Sequence, residues 1–379
     1  MNDAPTKLLP EDVVAISEAA AGAILTIDLD AIRENYRRLK TRLGSVRCAG
    51  VAKADAYGLG AAQVASALMK EGCDVFFVAL LAEGIALREV VGSEPEIYVL
   101  NGLPPGSEPE AVAAGLCAVI NSGAQLKAWS AAARDARRRL PAAIQVDSGM
   151  SRLGMAPAEV EAVAKDTGAL DGIDVRYVMS HLACADEPRH PANEEQRLAF
   201  ERLRAMLPEV PASLANSSGI FLGPPYHYDL ARPGAALYGI NPTPGAPNPM
   251  LPVVRLQAKV AQTRRVEKGT GIGYGHTYYA DGPLSLVTIS FGYADGWLRR
   301  SASAAWFEGI RLPFLGRVSM DSIILDISAV PPGRLREGDL VELLGPSQSV
   351  DDAAGHAGTI GYEILASLGP RFHRRYVGG

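Results

Sequence analysis

A lysine stands where a short apolar run ends, and it could act as a nucleophile or as a base. Lys53 follows the run 47–52 within VAKADAYGLG and is flanked by Ala52 and Ala54. Partial burial among such neighbours disfavours the ammonium form and leaves a neutral amine, which can form a Schiff base with a carbonyl compound. The alternative is a surface lysine whose ammonium group reaches water, the usual state of this residue type. The spacing alone favours the second interpretation, and the surrounding motif, described below, reverses it.

Polar and cationic residues also follow other apolar runs. They are Arg152 in VDSGMSRLG, His181 in VMSHLACADE, Asn216 and Ser217 in SLANSSG, and Arg232 and Gly234 in YDLARPGAALYG. If these runs are parallel strands of a barrel, their carboxyl ends share one rim, and the active sites of such barrels form there. We therefore expect these side chains to contribute to one site.

The segments NSSG and RPG have a composition that suits a phosphate-binding site. Small residues let backbone N–H groups approach a phosphate, and Ser217 can donate its hydroxyl. The segment SSGIFLG could supply the short helix that often accompanies a phosphate in barrels. Each segment alone is also a common turn, so neither decides the question without the others.

Four segments in the last third of the chain contain further candidates. They are GYGHTY around Tyr274, GYADGW around Tyr293, VSMD with Met320 and Asp321, and TIGYE with Tyr362. Tyrosines next to glycines are often packed aromatics rather than functional groups. For Tyr278 and Tyr293 both interpretations stay open.

The elements that must position these residues alternate along the chain. Candidate strands are 24–28, 47–52, 75–79, 96–100, 116–120, 142–146, 175–180, 212–215 and 228–231, and helical patterns cover 30–43, 61–70, 123–140 and 193–207. Such alternation predicts an α/β fold with a parallel sheet. Without the first strand eight remain, the number that closes a (β/α)₈ TIM-type barrel. An open doubly wound sheet is the alternative, but no GxGxxG segment follows the first strand to support it.

The composition of the chain changes at NPTPGAPNPMLP, residues 241–252, which is typical of a linker. Beyond it the runs 253–266, 284–290, 312–315, 322–327 and 340–344 predict strands. We therefore predict a leader over 1–21, a barrel over 22–246 whose first strand is free to join the other domain, and a smaller, mostly β C-terminal domain over 247–379.

Charge and cysteine usage exclude several classes of protein. The chain has 379 residues and a net charge of −5, with both signs well mixed, so neither a nucleic-acid footprint nor a basic membrane patch is predicted. Cys48, Cys73, Cys117 and Cys184 lie far apart, which argues against a metal site or disulfide framework and favours a reducing compartment. The beginning of the chain lacks the pattern of a secretion signal. A cytoplasmic protein without a metal is the expectation.

The segment VAKADAYGLG closely resembles the attachment motif for pyridoxal 5′-phosphate (PLP) in alanine racemases. The segments named above follow in that family's order, and the resemblance spans roughly residues 24–376. It implies an isomerase that interconverts L- and D-alanine with PLP by a two-base mechanism. It also implies a homodimer with shared active sites and a role in D-alanine biosynthesis or consumption, linked to peptidoglycan precursors.

The resemblance also implies a role for each site residue. Lys53 would bind PLP and act as one base, and Tyr274 of the partner subunit would be the other. Arg232 would donate to the pyridine nitrogen, and His181 would lie beneath the ring. The phosphate would be held by Tyr57, Ser217, Gly234, Ala235 and Tyr362, and Asn216 would also bind the cofactor. The substrate carboxylate would be received by Arg152 and the backbone of Met320, and Asp321 of the partner subunit would line the site near Met320.

The chain departs from the family pattern at two positions that bear on the substrate. Several members have a carbamylated lysine that supports the carboxylate-binding arginine, and Gln145 stands there in this chain. Glutamine carries no carbamate, so Arg152 must be held by a neutral amide or by a bound anion. Ser319 stands where some members have cysteine, which leaves the tolerance for serine open.

Three alternatives share parts of this pattern. A PLP-dependent amino-acid decarboxylase of the same architecture pairs the pyridine nitrogen with a carboxylate, whereas this chain has Arg232. A broad-specificity or serine racemase differs only in its pocket lining. A single-barrel PLP carrier needs no second base, so the β-rich domain with Tyr274 argues against it.

Overall fold

The computed structural model describes residues 17–299 and 303–379. Residues 1–16 of the predicted leader lie outside these ranges. Contacts divide the chain into two compact units: one joins the chain up to Asp28 with Val254–Val377, and the other comprises Leu29–Val253 and Gly378–Gly379. Clusters of contacts do not by themselves define domains that fold alone. The domain limits given above therefore stay a prediction.

The strands of the unit Leu29–Val253 are short and lie near the predicted positions. A first strand, β1 (Ala23–Asp28), belongs to the other unit. The next nine segments are β2 (Arg47–Cys48), β3 (Gly50–Val51), β4 (Val75–Val78), β5 (Glu96–Val99), β6 (Cys117–Ile120), β7 (Leu140–Gln145), β8 (Ile173–Met179), β9 (Ala212–Ser213) and β10 (Leu230–Ala231).

These strands form a closed parallel barrel. Strands β3 to β9 pair in chain order, and β10 pairs in parallel with β2. β2 and β3 are one run interrupted at Ala49, whose N–H donates to the Ala231 carbonyl at 2.9 Å. The Asp229 N–H donates to the Ala212 carbonyl at 3.0 Å and joins β10 to β9. The predicted (β/α)₈ barrel is confirmed, and the open sheet is excluded.

Helices separate successive strands of the barrel. They are α1 (Leu29–Leu43), α2 (Lys53–Gly58), α3 (Ala61–Lys70), α4 (Leu81–Val91), α5 (Glu108–Ala113), α6 (Gly123–Asp135), α7 (Pro157–Lys165), α8 (Ala192–Arg204) and α9 (Gly219–Leu222), with 3₁₀ turns at Pro224–Tyr226 and Ala235–Tyr238. The helical pattern 123–140 was too long. The helix ends at Asp135 because Arg137 has a left-handed φ of 52°, which an α-helix cannot accommodate.

The interior of the barrel is a packed core made by alternate residues of its strands. Ala49 and Val51 lie inward from the first strand, and Val75 and Phe77 from the next. Their partners from the other strands are Tyr98, Cys117, Val119, Ala143, Tyr177, Met179 and Leu230. Because the side chains of a strand point to the same face at every second residue, these alternate residues form the inward face of the barrel. Since side chains fill the interior of the barrel, the strand ends are where a ligand can bind.

The other unit is mostly β-sheet. Its further strands are β11 (Val254–Val266), β12 (Gly271–Ile272), β13 (Tyr278–Tyr279), β14 (Leu284–Ile289), β15 (Ala304–Phe307), β16 (Ile310–Pro313), β17 (Ile323–Asp326), β18 (Leu340–Leu344) and β19 (His373–Val377). Two helices, α10 (Val350–Ala357) and α11 (Gly361–Ala366), and 3₁₀ turns at Tyr274–His276 and Tyr293–Asp295 complete it.

Strand β11 organises this sheet. It pairs antiparallel with β1, β14 and β18, and β1 pairs in parallel with β19 at its other edge. The strands β12, β13, β15 and β19 were not predicted. The sequence of β19, HRRYV, is mostly polar and its residues are half-buried or exposed, so it shows no apolar alternation.

No helix among residues 17–299 and 303–379 has the length and apolarity needed to cross a membrane. All four cysteines lie in this part of the chain and are unpaired, and Cys48, Cys73 and Cys117 are buried.

Candidate active site

Lys53 lies at the end of β3 and begins an unusual turn. Ala54, Asp55, Ala56 and Tyr57 all have positive φ, between 51° and 58°. The left-handed conformation costs an L-residue roughly 1–2 kcal/mol, so contacts around the turn must hold it. One of them is at its far end, where the Ala61 N–H donates to Oδ1 of Asp55 at 2.7 Å.

The environment of Lys53 favours the neutral amine. Burial, and then the positive charge of Arg152, lower its pKa below the usual range, and the carboxylate of Glu83 opposes them. Its Nζ lies 6.0 Å from the centroid of the Tyr57 ring. The interpretation of Lys53 as a desolvated strand-end amine, rather than a solvated surface lysine, is therefore supported.

His181 and Arg232 meet at the ends of β8 and β10. An Nη2–H of Arg232 points to Nδ1 of His181, 3.4 Å away. Burial, and then the charges of Arg232, Arg152 and Lys53, lower the pKa of His181 to about 3, so the ring is neutral. Since Nδ1 faces a donor, we infer that Nε2 carries the proton. Burial lowers the pKa of Arg232 to about 9, which still leaves it charged at neutral pH.

Buried serines hold Arg232 in place, and none of them was predicted. Arg232 Nη1 donates to Oγ of Ser213, and Nη2 donates to the Ser180 carbonyl at 2.5 Å. Ser213 Oγ donates in turn to the Leu230 carbonyl at 2.6 Å. The Ser180 hydroxyl bonds with that of Ser148 at 2.7 Å. The strand ends are thus tied together beneath the guanidinium.

The side chain of Ser217 binds two backbone N–H groups of the segment after β10. Its Oγ accepts from the Gly234 N–H at 3.0 Å and from the Ala236 N–H at 3.1 Å, which leaves its O–H available as a donor. The neighbouring Asn216 serves α9, because its Oδ1 accepts from the Gly219 N–H at 2.9 Å. The predicted short helix after NSSG is present as α9.

Arg152 lies on an exposed loop after β7. Asp147, which was not predicted as a site residue, shapes this loop. Oδ1 of Asp147 accepts from the N–H groups of Gly149, Met150 and Ser151 at 2.9, 2.9 and 3.1 Å. The Asp-x-Gly spacing is the usual signal for such a turn and could have identified Asp147. The Gln145 side chain at the end of β7 is buried.

The remaining predicted residues belong to the β-rich unit. Tyr274 lies on a 3₁₀ turn with 66% of its surface exposed, and Met320 is 52% exposed. Nη1 of Arg371 lies 2.8 Å from Oδ1 of Asp321. The Ala294 N–H donates to the Met320 carbonyl at 3.0 Å, so the GYADG turn holds this loop.

Asp295, in the same turn, is a second aspartate that was missed. Its carboxylate accepts from Nε and Nη2 of Arg371 at 2.8 and 3.1 Å and from the Gly292 N–H at 2.9 Å. No local signal in the sequence joins Arg371 to this turn, because the two are far apart along the chain. Tyr362 lies on α11, and Tyr293 and Tyr278 are partly exposed.

Two family models cover the chain. Residues 27–242 match the alanine racemase N-terminal domain, and residues 253–376 match the alanine racemase C-terminal domain. The chain belongs to the alanine racemase family. The resemblance stated above is thereby confirmed.

Relatives within the family are similar over their whole length. A Mesorhizobium japonicum protein named "Alanine racemase, catabolic" is 85% identical over 100% of both chains. An Agrobacterium fabrum protein of the same name is 50% identical over 96% of this chain and 95% of its own. A Brucella canis alanine racemase is 47% identical over 95% of each chain.

Solved alanine racemases share the fold. The crystal structure from Bartonella henselae, described as having covalently bound pyridoxal phosphate, is 40% identical with a TM-score of 0.91, covering 94% of this chain and 100% of its own. A biosynthetic alanine racemase from Pseudomonas aeruginosa is 36% identical with a TM-score of 0.88, again covering 94% and 100%.

The barrel residues fit the cofactor of this family. PLP is an anionic aldehyde, and the rim presents the amine of Lys53 among the cations Arg152 and Arg232. A Cβ on Gly234 would overlap the Tyr57 hydroxyl and lie 3.0 Å from its Cζ, so only glycine lets this tyrosine approach the amides at Ser217. Among the described residues, no group of three His, Cys, Asp or Glu side chains could hold a metal ion.

Acid should destabilise the protein through His181. Its pKa is about 3 in the folded chain and about 6.5 when unfolded. Between these values the unfolded chain binds the proton more strongly. The stability that neutral His181 contributes is therefore complete above about pH 6.5 and is lost as the pH falls towards 3. We expect Tm, measured by calorimetry, to decrease over this window, and less steeply in His181→Asn.

The exposed His190 provides the control for this measurement. His190→Asn should show the same decrease of Tm as the parent. If His181→Asn also parallels the parent, the acid sensitivity comes from other groups.

Proposed function

We propose that this chain interconverts L- and D-alanine by a two-base mechanism that uses PLP. The observation that carries the proposal is the group Lys53, Arg152, His181 and Arg232 at one rim of the barrel, where Arg232 contacts His181 and the charge of Arg152 acts on Lys53 and on His181. It combines an amine with a lowered pKa, two cations for anionic ligands and a neutral imidazole. As a member of the alanine racemase family, the chain is an isomerase.

PLP, when bound, supplies an electron sink that eases removal of the α-proton of the amino acid. Lys53 would hold it covalently. The Ser217 hydroxyl, with Gly234 and Ala235 next to it, would hold the phosphate, and Tyr57, Asn216 and Tyr362 are proposed beside it. Arg232 would donate to the pyridine nitrogen. A donor that is charged at neutral pH would keep that nitrogen unprotonated, which would favour racemisation over side reactions.

The grip on the phosphate can be tested at Gly234. Gly234→Ala would force Tyr57 away from the amides, and overpacking of this kind costs about 1–3 kcal/mol. We expect PLP to be lost roughly tenfold faster during dialysis, followed by its absorbance. Gly355→Ala is the control, because nothing lies within 4 Å of the added Cβ on α10. Equal retention of PLP in both variants would contradict the phosphate site.

Lys53 suits the role of the first base. A base must be neutral before it accepts a proton, and burial together with Arg152 favours the neutral amine. His181 stays neutral and supports Arg232 through Nδ1. Lys53 can therefore accept the proton while His181 and Arg232 keep their protonation states.

The second base is proposed to be Tyr274 of the partner subunit. Inversion requires a proton donor on the face opposite to the first base. Tyr274, Tyr279 and Met320 are large side chains left exposed on the β-rich unit, which is typical of a surface covered by another chain. Mixing Lys53→Ala chains with Tyr274→Phe chains tests the shared site, because only heterodimers combine an intact Lys53 with an intact Tyr274. Absence of recovered activity would count against it.

The substrate carboxylate is proposed to bind Arg152 and the backbone of Met320. The Asp147 turn holds the loop of Arg152, and the GYADG turn holds the loop of Met320 and Asp321. Both anchors bind backbone groups of the loop, which positions the loop without blocking the Arg152 and Met320 side chains. Arg152 can bind a carboxylate with two parallel hydrogen bonds.

The test of the activity is proton NMR of the PLP-loaded protein with L-alanine in D₂O, followed by chiral analysis. Loss of the α-proton signal with formation of D-alanine is the expected result. Exchange without D-alanine would point to a one-base enzyme or a carrier. No exchange would contradict the proposal for alanine, and serine would be tested next.

The metabolic role is proposed from the relatives. Two of them are named catabolic alanine racemases, so we propose that the chain serves the consumption of alanine. Supply of D-alanine for peptidoglycan stays a prediction. Deletion of the gene separates the two roles. Loss of growth on alanine would support consumption of alanine, and a requirement for D-alanine would support its supply.

The location of the protein is proposed to be cytoplasmic, and the unpaired cysteines agree with this.

A further inference from the structure

Glu83 joins the ends of two neighbouring barrel strands. Its Oε2 accepts from the N–H groups of Ala79 and Leu80 at 2.7 and 3.0 Å, as expected for a glutamate in the first turn of a helix such as α4. Its Oε1 does more than cap the helix. It accepts from the Ala54 N–H at 2.7 Å, on the chain segment that follows β3.

Ala54 is the residue at which this contact matters. It directly follows Lys53 and is the first of the left-handed residues, with φ 51° and ψ 49°. A hydrogen bond to a carboxylate is roughly twice as strong as one between neutral groups. The bond therefore holds the turn at its start, as Asp55 holds it at its end through Ala61.

The charge of Glu83 also reaches the amine. Glu83 raises the pKa of Lys53, against the lowering caused by burial and Arg152. One carboxylate thus has two effects on the same side chain. It fixes the backbone next to Lys53, and it stabilises positive charge on the Lys53 nitrogen.

We propose that Glu83 is a positioning residue for Lys53, acting through the left-handed turn that begins at Ala54. The inference rests on the proposed role of Lys53. Glu83 does not touch the reacting atoms in this scheme. It keeps the amine in the orientation that racemisation and covalent binding of PLP require.

The test is Glu83→Gln in the full-length, PLP-loaded protein. An amide has one acceptor oxygen and one donor nitrogen, so either Ala54 or the pair Ala79 and Leu80 must face a donor. We expect kcat to fall about tenfold with less than a threefold change in KM. Hydroxylamine should release PLP about tenfold faster. The pH midpoint of the cofactor's absorbance should move lower, because a negative charge near the Lys53 nitrogen is gone.

Glu159 provides a matched control. It occupies the same position in α7, with Oε2 accepting from the Ala156 N–H at 3.1 Å and Oε1 from the Gly123 N–H at 3.0 Å. It therefore also caps its helix and joins a neighbouring element, but no lysine of the site lies beside it. Glu159→Gln should lower Tm and leave kcat, PLP release and the absorbance midpoint at parental values.

A second variant tests the turn itself. Glycine adopts positive φ with little strain. Adding Ala54→Gly to Glu83→Gln should therefore raise kcat at least threefold above that of Glu83→Gln alone. If Glu83→Gln does not fold, the double variant replaces it in the absorbance measurement, where the midpoint should still move lower because the carboxylate charge is absent. The inference would be overturned if folded Glu83→Gln kept the parental PLP release and absorbance midpoint. It would also be overturned if Glu83→Gln, like Glu159→Gln, showed only a lower Tm. Failure of the parent to racemise alanine would instead overturn the proposed function.

Discussion

Lys53→Ala should lower the rate of alanine racemisation by about 10⁴-fold or more. The substitution removes a general base, worth up to about 10⁴ in rate, and the amine proposed to bind PLP covalently. The lowered pKa of Lys53, caused first by burial, is what suits it to both tasks. Chiral analysis of the product measures the rate. Mass spectrometry after borohydride reduction should show PLP attached to the parent and absent from the variant.

The control for Lys53 is a lysine on the outside of the barrel. Lys165 on α7 is exposed and pairs with Glu161 at 3.7 Å. Exposed ion pairs contribute little to stability, so Lys165→Ala should racemise alanine at the parental rate. Racemisation by Lys53→Ala at a comparable rate, or PLP attached to another lysine, would refute the assignment.

Tyr274→Phe should separate proton exchange from inversion. Without the phenol, the rate of racemisation should fall by about 10²- to 10⁴-fold. Lys53 can still remove and return a proton on its own face, so one enantiomer should continue to exchange its α-proton with D₂O. Proton NMR with each enantiomer, combined with chiral analysis, measures both processes.

Tyr279 on β13 is the matched control for Tyr274. Both tyrosines are strongly exposed on the same unit, at 66% for Tyr274 and 61% for Tyr279. Tyr279→Phe should keep the parental rate of racemisation, because no role in proton transfer is assigned to it. Equal losses in the two variants would indicate a general effect on this surface rather than a second base.

Local patterns in the sequence were sufficient for the frame of the site. The eight barrel strands were predicted because alternating apolar and amphipathic segments report burial directly. Lys53, His181 and Arg232 were predicted as neighbours because the carboxyl ends of parallel strands share one rim. The exact limits were less predictable. Helix α6 ends early at a left-handed Arg137, which no periodic pattern signals.

The residues that support the site were not predictable in the same way. Glu83, Ser213 and Arg371 act on residues far from them in the chain, and each is an ordinary polar residue in its local sequence. Strand β19 was missed for a related reason. It pairs with β1 from the opposite end of the chain and carries arginines instead of the apolar alternation that indicates a strand.

The sequence by itself determined the family, the barrel and the residue types that face the chemistry, because these depend on hydrophobic periodicity and on motifs within short segments. Only the tertiary structure decided how those residues are tuned. The neutral state of His181, the lowered pKa of Lys53 and the bond from Ala54 to Glu83 all arise from burial and from charges brought together across strands. Such effects depend on distances in space, which sequence spacing does not encode.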